Sequence, residues 1–261
     1  IAQAVGGAFA ITGAITITNN GTVTTTGAIT GTVAGSTWVN AANSTLNANG
    51  AVLTTGTLTA TASGNTVNYK GGAQTVKATA TYYHLTLSGS GTKTLTVTTT
   101  AISGNLILSG TAAATTVVGL TISGNLTVGT GTTFTAAGFV LTVTGTTSVT
   151  GTLTISSATG TKSINGDFTV NLNGTLNNTA GNAALILPGN LSNSGTFNPG
   201  TGLYTLSGAS KTISGTFANA FTAMTISGAG VSNSGTFTTA TLTVNNTFSN
   251  TGTITASTSL A

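Results

Sequence analysis

Charged residues are almost absent from this chain of 261 residues, at 2% of the sequence, with five Lys, a single Asp and neither Arg nor Glu. A single acid, Asp167, excludes the carboxylate pair that glycoside hydrolysis requires. It also excludes calcium sites that are built from several carboxylates. With so few titratable groups, we expect the stability of the fold to change little with pH.

Cysteine is absent and histidine occurs once, as His84. The lack of thiols excludes disulfides and thiolate metal sites. A Ser-His-Asp site would need His84 next to Asp167, which lies far along the chain, and the internal counterpart of His84 is Ala223. We therefore expect a non-enzymatic protein without cofactor or metal.

The net charge of +4 does not indicate nucleic-acid binding. No Arg is present to make bidentate contacts with phosphates or bases. The five lysines are far apart in the sequence, at Lys70, Lys77, Lys93, Lys162 and Lys211. The apolar N-terminal stretch is rich in Gly and Thr and alternates like a strand, so we predict no transmembrane span.

What is present is Thr, Gly, Ser, Asn and Ala, interleaved with single Val, Ile, Leu and Phe residues in a strand-like alternation. That alternation, with 37 glycines and almost no helical signal, predicts an all-β protein. The motif ISGNLIL at 102–108 returns as ISGNLTV at 122–128, and degenerate copies begin at Ile164 and Pro188. A recurrence of about 20 residues is typical of a parallel β-solenoid and favours it over tandem β-sandwiches.

Each of these motifs is a turn that leads into a strand, because Gly and Asn tolerate the backbone conformations of corners. Asp167 occupies the position that Asn105 and Asn125 hold in the aligned copies, and Asn190 follows in the next one. We predict that these four residues are structural turn or ladder residues.

A longer repeat contains the short one. Residues 71–91 align with residues 207–230, with Leu85 matching Met224 and Gly89 matching Gly228. We predict an N-terminal lead-in over 1–52, which caps the solenoid or forms a subunit interface, a first solenoid module over 53–190, and a second, partial module over 191–261.

The segments GGAQTV, YYHLTLSGSGTKTL and ISGNLIL, with the recurrent NSGTF and NTGTI blocks, resemble large secreted bacterial repeat proteins of the filamentous-haemagglutinin and autotransporter adhesin type. The resemblance covers the chain from about residue 53 onward. It implies a right-handed β-helix, export to the cell surface, and a role in adhesion, fibres or matrix.

The leading functional hypothesis is an extracellular filament subunit or cell-surface adhesin that associates end to end. Unpaired strand edges at the ends of a solenoid drive association unless charges, Pro or a cap blunt them. The apolar segment with Phe9, Ile11, Ile15 and Ile17 is the candidate subunit-interface strand.

The alternative function is an ice-binding or glycan-binding solenoid. Thr-x-Thr runs, which can match an ice lattice or form an ordinary solvated face, begin at Thr22, Thr57, Thr96, Thr142 and Thr150. Trp38, Tyr69, Tyr82, Tyr83 and Tyr204 are the candidates for stacking on surface glycans. Tyr82 and Tyr83 are adjacent, so in a strand we expect only one of them to face outward.

Overall fold

The computed structural model describes residues 2–260 and shows a parallel β-solenoid. These residues form strands, turns and bends, and no segment among them is a helix of the length and apolarity that a membrane crossing needs. Thirteen coils stack along one axis, as the thirteen strands of the longest sheet show. The repeat along the chain is the one that the short motif predicted, since Leu106 of one copy pairs with Leu126 of the next.

Coils 1 to 3 begin at β1, β4 and β7. Their strands are β1 (Ala2–Val5), β2 (Phe9–Ile11), β3 (Thr16–Asn19), β4 (Thr22–Thr25), β5 (Ile29–Gly31), β6 (Thr37–Asn40), β7 (Thr45–Ala48) and β8 (Thr57–Thr59).

Coils 4 to 10 contain three strands each. They are β9 (Thr66–Tyr69), β10 (Gln74–Thr75), β11 (Thr81–Tyr82), β12 (His84–Leu87), β13 (Ser90–Thr94), β14 (Ala101–Ile102), β15 (Leu106–Leu108), β16 (Thr111–Thr115), β17 (Leu120–Ile122), β18 (Leu126–Val128), β19 (Thr133–Ala136), β20 (Leu141–Val143), β21 (Thr147–Val149), β22 (Thr152–Ile155), β23 (Lys162–Ile164), β24 (Phe168–Val170), β25 (Thr175–Asn177), β26 (Leu185–Leu187), β27 (Leu191–Asn193), β28 (Thr196–Asn198) and β29 (Leu203–Leu206).

Coils 11 to 13 contain two strands each, and the last two of them have one long strand. They are β30 (Thr212–Gly215), β31 (Phe221–Ile226), β32 (Val231–Asn233), β33 (Thr236–Val244), β34 (Phe248–Asn250) and β35 (Thr253–Leu260).

The coils build three faces. Face 1 is a continuous 13-stranded sheet from β1 to β34, to which every coil contributes its first strand. Face 2 consists of the pair β2–β5 and a seven-stranded sheet from β10 to β28. Face 3 consists of β3–β6–β8 and a ten-stranded sheet from β11 to β35. All strand pairs are parallel, so the backbone hydrogen bonds run along the axis of the stack.

The alternating sequence pattern produces the core because successive side chains of a strand point to opposite sides. On face 1, Leu85, Leu106 and Leu126 lie in register and are fully buried, while Thr86 and Thr127 point outward. Aromatic side chains fill the core of the later coils. Phe197 packs against Phe217 with ring centroids 5.1 Å apart, and Tyr204 lies 5.0 Å from Phe221.

Face 2 has a seam between coils 3 and 4. Val52 pairs back with Ile29, whereas β10 pairs forward with β13, so no strand pairing joins the two coils on this face. Two side chains bridge the seam. The Gln74 amide donates to the carbonyl oxygens of Ala48 and Gly50 at 3.0 and 2.7 Å, and the Lys77 ammonium donates to the carbonyl oxygen of Leu53.

The predicted boundary at 190/191 lies at the corner between β26 on face 3 and β27 on face 1, and the sheet of face 1 continues across it because β27 pairs with both β24 and β30. The two aligned copies of the long repeat occupy different faces. Leu85 belongs to β12 on face 1, whereas its counterpart Met224 belongs to β31 on face 3. The long repeat therefore recurs in sequence without recurring at the same place around the coil.

Candidate functional site

Asn105, Asn125, Asp167 and Asn190 lie in one column at the corner where face 3 turns into face 1. Each of them directly precedes a face 1 strand, namely β15, β18, β24 and β27. Their side chains point along the axis and accept hydrogen bonds from the backbone of the next coil. The Oδ1 of Asn105 accepts from the Asn125 N–H at 2.9 Å, and the Oδ1 of Asn125 accepts from the Thr146 N–H at 2.9 Å.

Thr146 has no side-chain carbonyl and interrupts the column, and the same hydrogen-bonding pattern resumes at Asp167. The Oδ1 of Asp167 accepts from both the backbone N–H and the side-chain amide of Asn190, each at 2.9 Å. The Oδ1 of Asn190 then accepts from the Thr212 N–H at 2.9 Å. The column thus satisfies corner amides that have no strand partner, which is a structural task.

His84 stands at the start of this column. Its Nδ1 accepts the Asn105 N–H at 2.9 Å, which requires that this nitrogen is unprotonated, and burial lowers the pKa of the imidazole. Asp167 is four coils away, or about 19 Å at the usual spacing of strands. Within residues 2–260 no group of three His, Cys, Asp or Glu side chains comes together that could hold a metal ion.

Two lysines turn into the core. Lys162 is 1% exposed, and its ammonium donates to the carbonyl oxygens of Phe139, Thr159 and Gly160 at 2.7 to 2.8 Å. Lys93 is fully buried and donates to the carbonyl oxygens of Gly71 and Gly72 and to the Oε1 of Gln74. Three acceptors match the three protons of an ammonium group. Burial lowers the pKa of both lysines, and both charges are removed from the outer faces.

The aromatic residues that could stack on sugars are mostly inside. Trp38, Tyr69, Tyr82 and Tyr204 are buried, and Tyr83 alone of the five candidates is partly exposed. The Tyr69 and Tyr82 hydroxyls lie 3.0 Å apart in the core, and burial raises the pKa of Tyr69 to about 12. A flat aromatic platform is therefore not present among these five side chains.

The candidate interface segment divides into two strands, contrary to the prediction of one. Phe9 and Ile11 lie in β2, and Ile17 lies in β3, because the chain turns a corner at Gly13, where φ is +115°. Ile11 is buried, whereas Phe9 and Ile17 are half-buried and Ile15 is 50% exposed.

Together with Val5, Val23 and Trp38, residues Phe9 and Ile17 form the apolar part of a hollow of about 420 Å³ in the first two coils, and polar residues complete its lining, namely Gln3, Thr18, Asn19 and Asn20. Phe9 packs edge-on against Trp38, with ring centroids 5.7 Å apart. The hollow therefore exposes part of the core at this end of the described stack.

Face 2 carries two neighbouring columns of Thr and Asn side chains across coils 7 to 10. In the first column, Thr133, Thr152, Thr175 and Thr196 are in register. The second column contains Thr135, Thr154, Asn177 and Asn198. Between the columns, the inward residues Phe134, Leu153, Leu176 and Phe197 are buried and support the face from below.

Sequence reasoning missed this array, although it noticed Thr-x-Thr runs. Of the predicted runs, Thr22 and Thr24 lie on face 1 and Thr57 and Thr59 on face 3, whereas Thr152 and Thr154 belong to the array. Successive members of the first column are unevenly spaced along the chain, since Thr175 follows Thr152 at a longer interval than Thr152 follows Thr133. Only the register of the strands reveals that they are stacked.

No protein-family model, curated protein or solved structure matches the chain.

Proposed function

We propose that this chain is a non-enzymatic, secreted structural rod that acts at the cell surface or in the extracellular matrix, as a segment of a self-assembling filament or adhesin. The observation that carries the proposal is the uninterrupted parallel sheet of face 1, in which an edge strand can pair with a further strand through the same backbone hydrogen bonds that join the coils. On face 1, β1 pairs only with β4 and β34 pairs only with β32. Every strand between them pairs on both sides.

The apolar surface of the first coil supports the same proposal. The apolar side chains of Val5, Phe9 and Ile17 in the hollow gain hydrophobic stabilisation when another coil covers them. At the opposite end, Phe248 and Ile254 of the last coil are half-buried against the core. Stacking the last coil of one rod on the first coil of another would satisfy both edges and bury both apolar surfaces. Further coils of a longer chain would pair with these edges and cover these apolar surfaces through the same contacts.

Such a contact joins two different surfaces, so it does not close on itself and it generates an open filament. Native proteins often prevent edge pairing by placing charged side chains on edge strands. Neither β1 nor β34 carries a charged residue. This lack of electrostatic protection favours association of the ends.

The proposal is tested by light scattering and electron microscopy of the full chain over a range of concentrations. We expect filaments with an axial repeat close to the length of thirteen coils, about 62 Å at the usual strand spacing. Ile17→Lys places a charge in the hollow and should prevent assembly, whereas Ile186→Lys, on the outside of face 3, should not. A chain that stays monomeric at high concentration would refute self-assembly.

A further inference from the structure

We propose that the Thr and Asn columns of face 2 form a second functional surface that binds ice. This surface lies on the side of the rod, away from both ends, so the proposal does not depend on filament formation. It is defined by the first column, Thr133, Thr152, Thr175 and Thr196, and by the second column, Thr135, Thr154, Asn177 and Asn198.

The geometry of the array is that of a regular two-dimensional net. Neighbouring coils of a parallel stack are about 4.8 Å apart, and residues two apart along a strand are separated by about 6.6 Å. Because the four coils are in register, both spacings repeat across the face. These repeats are close to those of the oxygen net on the prism face of hexagonal ice.

The hydroxyl groups of the array are available to a ligand. None of its six threonine hydroxyls bonds to another group of residues 2–260, and the side chains are exposed or partly exposed. The threonine hydroxyls that do bond within the protein include those at corners, such as Thr132, Thr150 and Thr159. Each Thr also presents a methyl group, so the face offers hydroxyl and apolar groups in alternation.

The corresponding columns of the other two faces are less regular. On face 1 the outward column contains Ile107 between Thr86 and Thr127, and further along it contains Ser148. On face 3 the exposed Ile186 interrupts the column between Ser163 and Thr205. Asparagine side chains bond within the protein on both faces: the Asn68 amide donates to Asn47 on face 1 at 3.0 Å, and in the array the Oδ1 atoms of Asn177 and Asn198 accept from the Thr179 hydroxyl and the Asn219 amide at 2.8 and 2.7 Å. The free groups of the array are therefore its threonine hydroxyls.

The lack of charged side chains on this surface favours an uncharged ligand. No residue of β19, β22, β25 or β28 is charged, and Lys93, in β13 on the same face, buries its ammonium in the core. A charged ligand would have no opposite charge to pair with on this part of face 2. A neutral lattice of hydrogen-bonding groups could cover the face without removing any charged side chain from water. Ice fits both the charge and the two spacings.

The test is thermal hysteresis and ice shaping by the full chain and by two matched variants. Thr152→Tyr combined with Thr154→Tyr puts bulky groups in the middle of the array and should abolish hysteresis. Thr127→Tyr, which is outward on face 1, should retain it. Thr152→Val keeps the side-chain shape and removes one hydroxyl, so it should retain part of the activity. Circular dichroism should show the same β content in all variants.

Three results would overturn the proposal. The first is a folded chain without hysteresis, and the second is hysteresis that survives the double tyrosine variant. The third is binding to crystalline cellulose, abolished by the same variant, without any effect on ice, which would assign the face to an uncharged polysaccharide. Filament formation is measured separately and depends on the end coils, so failure of either proposal leaves the other open to its own test.

Discussion

At the scale of single residues, this protein uses its few polar and ionisable side chains to bind backbone groups. The asparagine and aspartate column satisfies corner amides, and Asn178 is fully buried with hydrogen bonds to Ala183, Pro199 and Tyr204. The buried lysines satisfy clusters of carbonyl groups in the same way. A buried backbone group without a partner costs about 1–3 kcal/mol, so these residues contribute to the stability of the fold.

Asp167 gives a test of this role through pH. The backbone N–H of Asn190, its side-chain amide and, to a smaller extent, Lys211 lower the pKa of Asp167 in the folded protein. Because this pKa is lower in the folded than in the unfolded protein, the carboxylate stabilises the fold at pH values above its unfolded pKa. That contribution is lost as the pH falls through the folded pKa. We expect the melting temperature to fall between pH 5 and pH 2, and to fall less in Asp167→Asn.

The comparison isolates Asp167 because the chain contains no other Asp or Glu. His84 contributes equally in both proteins, since its hydrogen bond to Asn105 is kept. An equal acid-induced drop in the two proteins would show that the Asp167 carboxylate does not stabilise the column. The overall change should be small, as expected from the low number of titratable groups.

At the scale of strands and corners, the Gly of the ISGN and INGD motifs, and Gly145 at the same corner in the intervening coil, have a steric role. Gly124, Gly145 and Gly166 stack on one another at the corner between faces 3 and 1. A Cβ on Gly145 would lie 2.5 Å from the carbonyl oxygen of Gly124, which is closer than side-chain atoms approach backbone. The coils can therefore stack at strand spacing only because this corner has no side chain.

Gly145→Ala should destabilise the solenoid by about 1–3 kcal/mol, because the added methyl group forces neighbouring backbones apart. Gly119→Ala is the matched control, since a Cβ there meets no atom closer than 3.8 Å. That variant should be neutral or more stable by about 0.4–1 kcal/mol, because Ala restricts the unfolded chain. Chemical denaturation measures both, and equal stability of the two variants would contradict the steric role of the corner.

At the scale of the whole molecule, stability comes from contacts between neighbouring coils. In such a stack each coil is stabilised by the coil on either side, and the two terminal coils have one neighbour. The seam between coils 3 and 4 lacks strand pairing on face 2 and depends there on Gln74 and Lys77. The first three coils are therefore joined to the rest less strongly than coils 5 to 10 are joined to each other.

The rates of amide hydrogen exchange should reflect how strongly each coil is joined to its neighbours. We expect amides of coils 5 to 10 to exchange slowest, those of coils 1 and 13 fastest, and those of coils 2 and 3 at intermediate rates, because local opening begins where contacts are fewest. Gln74→Ala should raise exchange in coils 1 to 3 with little effect beyond coil 5. Uniform exchange along the whole chain would instead indicate one cooperative unit without a weak seam.

The sequence alone determined the all-β character, the approximate length of a coil and the corner position of Asn105, Asn125, Asp167 and Asn190. These properties follow from local patterns, because alternation predicts strands and Gly-Asn pairs predict corners. The hydrogen-bond partners of these side chains were not predictable from the motif, since each lies about one coil further along the chain.

Other properties were decided only by the tertiary structure. The two copies of the long repeat lie on different faces, because corners and strands of similar sequence can serve any side of the coil. The division of Phe9 and Ile17 between two strands, the burial of Lys93 and Lys162, and the alignment of Thr133 with Thr152 all depend on coil register. Coil lengths vary, so register is set by the packing of each coil on its neighbours, which spacing along the chain does not encode.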